Sequence, residues 1–404
     1  MKQNQKERAG KWARRALGIT ALLTGSAVAL AAHAEDKAPV RIGIVTSLSG
    51  VFAAQGTEVS RGVQFAVAEA NAKGGIDGRK VDAQVSDDES TPDAGRRVAE
   101  KLARSGYNLL TGAVPSSIPL AIVQNLDRWD ALYFTVASKS DRLTGDSCRA
   151  RQFRTSHSDA MDLAMISQWT KEFKEKNFAI MGADYVWGRD SGESFQRAIQ
   201  AQGKTVSLAL YAPMGTKDFS PYIAQLKASK AEAIWVAEVG GDAIAFIKQA
   251  REFGLIPAKK LIGHALIMNF VVNATGDALE NVVGTTTYGP EIDTPLNKAF
   301  VAAWKARYNR TPTDNEAQGY NGAQVIFEGV RKSASVKPVD IEKALDGDAF
   351  DTIYGKVTMR AKDHQLMLPN YVAQVKKVDG VLRPVVIEQF PASLTPPASP
   401  LCKM

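Results

Sequence analysis

The sequence predicts an α/β protein of two doubly wound parallel-sheet lobes, and three observations carry that prediction. From residue 40 onward, apolar strand-like runs alternate with stretches of helical period. The alternation breaks over 141–158 and then restarts. The 404 residues, 45% hydrophobic and 23% charged, suffice for two cores and exclude collagen, a coiled coil or an extended disordered chain.

The elements follow in order. VRIGIVT (40–46) reads as a buried strand, and the loop SLSG follows it. Val59, Val63, Val67 and Ala70 stand at helical spacing within 57–72, and GGIDGR, stopped by Gly74 and Gly75, is a turn. Residues 80–86 alternate as a strand, and Pro92 opens a helix to about Arg104. NLLTGAV is a strand, Ser116-Ser117 opens a helix through about Arg128, and ALYFTVA is the next strand. After the break come a helix over 159–175, strand NFAIMG, a helix after Gly188 and strand TVSLAL. A helix over 218–229, strand AIWVAE, a helix over 241–253 and strands KKLIGHA and VVGTTTYG complete the second series. Beyond Tyr288 lie helices at 295–308, 314–333 and near 338–345, then strand-like runs near 353–359, 371–378 and 382–388. SLTPPASP is loop by its proline content.

The net charge of +7 is misplaced for a nucleic-acid binder. Lys2, Lys6, Arg8, Lys11, Arg14 and Arg15 stand against Glu7 in residues 1–34, so most of the excess lies there. The same segment reads as a signal peptide, with a basic start, the apolar run ALGITALLTGSAVAL (16–30) and the small-x-small triplet Ala32-His33-Ala34. Cleavage is expected after Ala34, with export to the periplasm. No cysteine follows the run to take a lipid anchor, and Arg14-Arg15 fits twin-arginine export and an ordinary basic leader equally. Export permits a disulfide. Cys148 and Cys402 have only each other, so a bridge that pins the tail is expected, with free thiols as the alternative.

Enzyme signatures are missing. The first strand leads into TSLSGVFAAQG rather than GxGxxG, and neither GxxxxGK[ST] nor GxSxG occurs. His33, His157, His264 and His364 have neither HExxH nor HxH spacing, and two cysteines exclude a Cys₄ site, so no metal or cofactor is expected. Asp87-Asp88-Glu89 reads as a solvated acidic strand end. Trp235 and Trp304 read as core, and only Trp187, in DYVWGR, sits where a ligand reaches.

In doubly wound sheets, ligands bind outside the carboxyl ends of the strands. That places the site on loops 47–56, 113–118, 136–142, 183–189, 237–241, 263–267 and 287–291. Ser116 and Ser117 offer hydroxyls where a strand ends and a helix begins, which suits a carboxylate or a plain N-cap. Ser138, Lys139 and Ser140 stand at the same edge, with Lys139 as a candidate counter-charge.

These segments resemble the periplasmic Leu/Ile/Val-binding protein family, the type I solute-binding subunits of ATP-driven importers. The resemblance runs collinearly from about 40 to 390 through IGIVTSLSG, GVQFAVAEANAKGGIDGRKV, DDESTPDAGRRVAEKL, ASKSDRLTG, DYVWGRD, KDFSPYIAQLK, QGYNGAQVIFEGV and KDHQLMLPNYVAQV. It implies a periplasmic binding protein of type I with three hinge crossings. Lobe one is then 35–157 plus 288–368, and lobe two is 158–287 plus 369–404. It further implies a monomer that closes on a small ligand and delivers it to an inner-membrane permease complex.

The family's carboxylate-holding loops map onto Ser116-Ser117, with Ser117 as the main hydroxyl donor, and onto Ala137–Lys139. The departures concern the ligand. Gln55 and Trp187 stand where amino-acid binders have tyrosines, and Val239 stands near another. Ala265 falls where the resemblance implies the acid that pairs with the ligand ammonium, and Lys139 falls on a threonine. An unpaired ammonium in a dry site is costly, so an unmodified α-amino acid requires Glu238, Asp184 or Glu291 as a substitute. Members with an LTG-x-x-C loop and a C-terminal cysteine take aromatic acids, amides or other small carboxylates. Ser49, Tyr185, His264 and Tyr288 complete the candidate site from the remaining loops. The expected function is capture of a branched-chain amino acid or a related aromatic or apolar acid or amide. A sensory module of the same fold and an enzyme on the same lobes are the rival readings.

Overall fold

Strand pairing divides the chain between two sheets, and what ends each strand decides where the loops of the site fall. The structure is a computed structural model that describes residues 37–404. The expected signal peptide and its cleavage point lie outside the described residues. Among the described residues, no helix is long and apolar enough to cross a membrane.

The first series comprises β1 (Val40–Thr46), α1 (Ala53–Ala72), β2 (Val81–Asp87), α2 (Pro92–Arg104), β3 (Leu109–Gly112), α3 (Ser117–Val123), α4 (Leu126–Trp129), β4 (Leu132–Thr135) and β5 (Gln152–Arg154). The second comprises α5 (Asp159–Trp169), β6 (Asn177–Ala183), α6 (Val186–Ala201), β7 (Thr205–Ala212), α7 (Ser220–Ala228), β8 (Ala233–Ala237), α8 (Gly240–Glu252), β9 (Lys260–Gly263), α9 (Asn269–Thr275) and β10 (Val283–Thr286). The chain then returns through α10 (Pro295–Tyr308), α11 (Asp314–Ser333), α12 (Pro338–Leu345), β11 (Ala349–Thr352), β12 (Gly355–Arg360) and β13 (Gln365–Met367). It ends with β14 (Asn370–Val378) and β15 (Val381–Phe390).

The first sheet has the order β11-β12-β13-β5-β4-β3-β1-β2, and the second β15-β14-β10-β9-β8-β6-β7. Strands β1 to β5 pair in parallel, as do β6 to β10, while β11–β12, β12–β13, β10–β14 and β14–β15 pair antiparallel. Each lobe is thus a doubly wound parallel sheet with an antiparallel margin. The chain passes between sheets after β5, after β10 and after β13.

Local chemistry explains the helix starts. Thr91 with Pro92, Ser158, and Thr294 with Pro295 cap α2, α5 and α10 through side-chain oxygens. Thr313 and Glu316 form a reciprocal capping box on α11. The fully buried Glu316 carboxylate also takes Arg61 and Arg310. At their closest approach helices α1 and α11 meet backbone to backbone: a Cβ on Gly62 would lie 2.0 Å from the Glu316 carbonyl oxygen, and one on Gly319 2.2 Å from that of Val59.

Three readings need correction. The helix expected from 116 to 128 is broken at Gln124 and Asn125, where the Asn125 side chain donates to the Ala121 carbonyl at 3.0 Å. Asp88 is buried, not solvated: Ser47 donates to it at 2.6 Å, and burial pushes its carboxyl up to about 6. The tail grouped with lobe two returns to the first sheet's side. Arg360 donates to the Pro396 carbonyl at 2.7 Å, and Cys402 is disulfide-bonded to Cys148, with Cα atoms 5.5 Å apart.

That bridge joins residues 254 apart in sequence, so it removes a large share of unfolded-chain entropy. The double variant Cys148→Ser/Cys402→Ser should lose about 2–5 kcal/mol in urea unfolding. An unchanged midpoint and slope would show that the bridge carries no stability.

Candidate functional site

The carboxyl ends of the parallel strands of both sheets face one cleft. At its centre is a small cavity of about 30 Å³, room for about one or two waters. Gln55, Val114, Ser116, Ala137 and Lys139 wall it from the first sheet, and Tyr185, Trp187, Val239, Ala265 and Met268 from the second. Each follows the carboxyl end of a parallel strand: β1, β3 and β4 on one side, β6, β8 and β9 on the other.

The loop geometry is closely determined. Gly112 has φ +115° and Ala113 φ +53°, which turns the chain sharply out of β3. Ser138 then donates to the carbonyls of Ala113 and Val114 at 3.1 and 3.0 Å, and Ser140 N–H donates to the Ser116 hydroxyl at 3.3 Å. The loops after β3 and β4 are therefore one hydrogen-bonded unit. Ser116 makes no side-chain cap bond to α3, and it lines the cavity. Across the cleft, Ala265 holds φ +63°, a backbone strain of the kind that clusters at binding sites.

The lobes touch directly. Gly241 N–H donates to the Val51 carbonyl at 3.1 Å, Gln55 Nε2 to the Met268 sulfur at 3.4 Å, and Ser140 Oγ to Asp190 at 2.7 Å. The Phe52 and Tyr185 rings meet edge to face at 6.0 Å. Gly240 has φ +63°, and a Cβ there would stand 2.4 Å from the Val51 oxygen, so only glycine permits this approach.

Behind the cavity lies a buried polar network that spans the lobes. Lys139 Nζ pairs with Asp162 Oδ2, both almost fully buried. His264 Nε2 donates to the same oxygen at 2.8 Å, while its Nδ1 accepts from Ser191 Oγ at 2.6 Å. Trp235 Nε1 donates to Ser191 Oγ at 3.1 Å. Trp187 Nε1 donates to Asp159 Oδ1 at 2.7 Å, and Asp159 N–H donates to the Lys139 carbonyl at 2.9 Å. The pattern of partners selects one His264 tautomer. Burial raises the Asp162 carboxyl, but Lys139 and His264 outweigh it and hold that group well below the usual range. Burial pushes His264 down. Burial, reinforced by Asp141, pushes Asp159 well up.

Of the residues singled out by sequence, Gln55, Ser116, Ala137, Lys139, Tyr185, Trp187, Val239 and Ala265 are brought together on the wall. The others are placed elsewhere. Ser49 is exposed, and its carbonyl accepts from Ser90. Ser117 is the half-buried first residue of α3 and is not on the wall. Ser138 braces the loop, and His264 sits in the buried network. The hydroxyl of Tyr288 donates to Asn297 at 2.7 Å within the core around α10. Lys139 is no free counter-charge, because Asp162 already holds it. Trp235 and Trp304 are core. Sequence reading missed Val114, Met268, Asp159 and Asp162. The last two begin a helix in the pattern SDAMD, where their acids read as ordinary first-turn residues.

The three acids that an ammonium would require as a partner are placed differently. Asp184 pairs with Arg189 at 2.7 Å, and Glu291 with Arg383 at 3.3 Å, all away from the cavity wall. Glu238 alone is fully buried, and neither carboxyl oxygen has a hydrogen-bond partner. Burial, reinforced by Asp242, pushes it well up.

A sequence family described as periplasmic binding protein matches residues 39–380. The chain belongs to that family. This binding protein is 30% identical over 356 residues to the Leu/Ile/Val-binding protein BraC3 of Rhizobium johnstonii, covering 84% of this chain and 92% of the relative. A solute-binding protein of an ABC transporter from Rhodopseudomonas palustris BisB5, solved with 3,4-dihydroxybenzoic acid, has the same fold. It superposes with a TM-score of 0.81 at 24% identity, over 88% of this chain and 98% of that one. The leucine-, isoleucine-, valine-, threonine- and alanine-binding protein of Brucella ovis, in its closed conformation, superposes with a TM-score of 0.80 at 22% identity, over 91% of this chain and 99% of that one.

Because Ser116 lines the cavity of this binding protein and Ser117 does not, the two serines should separate on substitution. Ser116→Ala should weaken binding of an anionic ligand by about 1–3 kcal/mol, and Ser117→Ala by less than about 0.5 kcal/mol, read by titration calorimetry. The reverse order would move the hydroxyl donor to Ser117.

Proposed function

We propose that this chain is the exported solute-binding subunit of an ABC importer. It captures a small carboxylate by closure of its two lobes and presents it to an inner-membrane permease complex. The observation that carries this reading is the cavity itself, walled equally by both lobes at the carboxyl ends of their parallel strands. Such a site releases and admits ligand only when the lobes part. The three chain crossings supply a hinge.

The chemistry of the wall supports a carboxylate with a compact apolar or aromatic body. Val114, Ala137, Tyr185, Trp187, Val239 and Met268 give apolar surface, with Ser116 and Lys139 as polar groups. Trp187 is held by Asp159, so its ring is a fixed wall. Family relatives named for branched-chain amino acids and structural neighbours solved with hydroxybenzoic acids bracket the same chemistry. The protein acts in the periplasm as a monomer, after removal of residues 1–34.

A thermal-shift panel on protein beginning at Glu35 tests the reading. It should include leucine, valine, benzoates, short dicarboxylates and small amides. Ligand at about 1,000 times its Kd adds about 4 kcal/mol, so the true class raises Tm by several degrees. A panel in which no small carboxylate raises Tm would contradict the proposal.

A further inference from the structure

The three chain crossings use neighbouring strands, β5 and β13 in the first sheet and β10 and β14 in the second. Paired strands lie about 4.8 Å apart, so the crossings form one narrow hinge. One strand further out stand β12 on the first sheet and β15 on the second. The C-terminal tail bridges these two. Phe390, the last residue of β15, is buried in the core built mainly on the second sheet, and the short turn Ala392–Leu394 keeps Leu394 against the same core. The N–H groups of Leu394 and Thr395 donate to the carbonyls of Pro391 and Ala392 at 3.0 Å each, which holds that turn closed.

From Pro396 onward the tail lies on the first lobe. The Pro396 carbonyl accepts from Arg360 at the end of β12 at 2.7 Å, and Arg360 is fixed by both oxygens of Asp363 at 2.8 and 2.7 Å. Ser399 sits over Gly145, where a Cβ would stand 3.7 Å from the serine oxygen. Cys402 is buried in its bond to Cys148. Thr395 alone separates the last anchor on one lobe from the first on the other. Two residues of chain reach at most about 7 Å, so the two anchors cannot move further apart than that. Chain ends commonly fray, but the disulfide prevents the first-lobe anchors from peeling away in turn.

We propose that the tail from Pro391 to Cys402 is a strap that holds the β12 and β15 edges together and makes that edge the pivot of lobe motion. The opposite edges, at β2 and β7, carry no crossing and swing furthest. Neighbouring crossings alone let the lobes bend apart and also twist past one another, and a taut fourth link one strand outside them removes the twist. A single pivot returns the lobes to one register, in which Lys139 meets Asp162 and Val51 meets Gly241. The disulfide forms in an oxidising compartment, so the strap is fastened after export. This inference rests on the lobe closure proposed above and specifies its axis.

Spin-label distances on protein beginning at Glu35 test it. Lys356→Cys with Ile387→Cys puts labels at exposed positions of β12 and β15, on the strapped edge. Leu48→Cys with Met214→Cys puts them at exposed positions after β1 and β7, toward the free edges. With the strap intact, the strapped-edge pair should give the narrower distribution. A flexible insertion of about six Gly/Ser residues between Thr395 and Pro396 keeps the disulfide but extends the reach to about 28 Å. It should broaden the strapped-edge distribution at least about twofold. Cys148→Ser/Cys402→Ser should do the same if circular dichroism shows it folded, and the insertion variant carries the test if it is not. A strapped-edge distribution that ignores the added slack, while the Leu48–Met214 distance is broad or shifts with compounds of the thermal-shift panel, would overturn the strap and leave the binding-protein reading standing. A Leu48–Met214 distance that stays single and fixed with every compound would overturn the lobe motion on which both rest.

Discussion

A buried ion pair between the lobes, Lys139 with Asp162, is the constraint on which the rest of the site depends. Lys139 leaves the first sheet after β4, and Asp162 lies in the first helix of the second lobe. Two charges out of water gain little net stability, yet removal of one leaves the other uncompensated at a cost of about 3–5 kcal/mol. Such a pair selects one relative placement of the lobes more than it strengthens the fold. Asp162 also receives His264, His264 receives Ser191, and Asp159, one turn earlier on the same helix, fixes Trp187. One wall of the cavity is thereby set by the element that anchors the ion pair.

Consequences for ligand capture follow from the same arrangement. With Lys139 committed to Asp162, an anionic ligand would share a cation that is already paired, and the Ser116 hydroxyl would have to supply a larger part of the attraction. The closed cavity is smaller than a benzoate or leucine side chain, so entry requires the lobes to part. The contacts between the lobes that opening would strain or break include Val51 to Gly241, Gln55 to Met268, Ser140 to Asp190, the Phe52 ring on Tyr185 and the Lys139–Asp162 pair itself. The glycine at 240, with its positive φ and its close approach to Val51, lets the jaws meet. The tail after β15, disulfide-bonded to Cys148, is a fourth covalent connection between the lobes.

Much of the fold was legible because a parallel sheet buried on both faces writes its strands as apolar runs. Strands β1, β3, β4, β6, β8 and β10 were read within a few residues. The elements passed over were short or polar: β5 and β13, of three residues each, and β11, in the polar text AFDT. Helix α9 lay inside GHALIMNFVVNAT, whose unbroken apolar character gives no helical period. The location of the site was legible from topology alone, since loops at carboxyl strand ends converge whatever their sequence. What the individual side chains do there was not. Ser116 and Ser117 are indistinguishable as text, and only the turn at Ala113 decides which faces the cleft. The partner of Lys139 lies 23 residues away in a capped helix, and no local pattern announces it.

A double-mutant cycle on Lys139→Met and Asp162→Leu, read by urea unfolding, tests the interlobe pair most directly. Each single variant should lose about 3–5 kcal/mol, and the double variant at least about 2 kcal/mol less than the sum of the two. Additive losses would show that the two side chains do not depend on each other, and the ion pair would not be what sets the lobes in place.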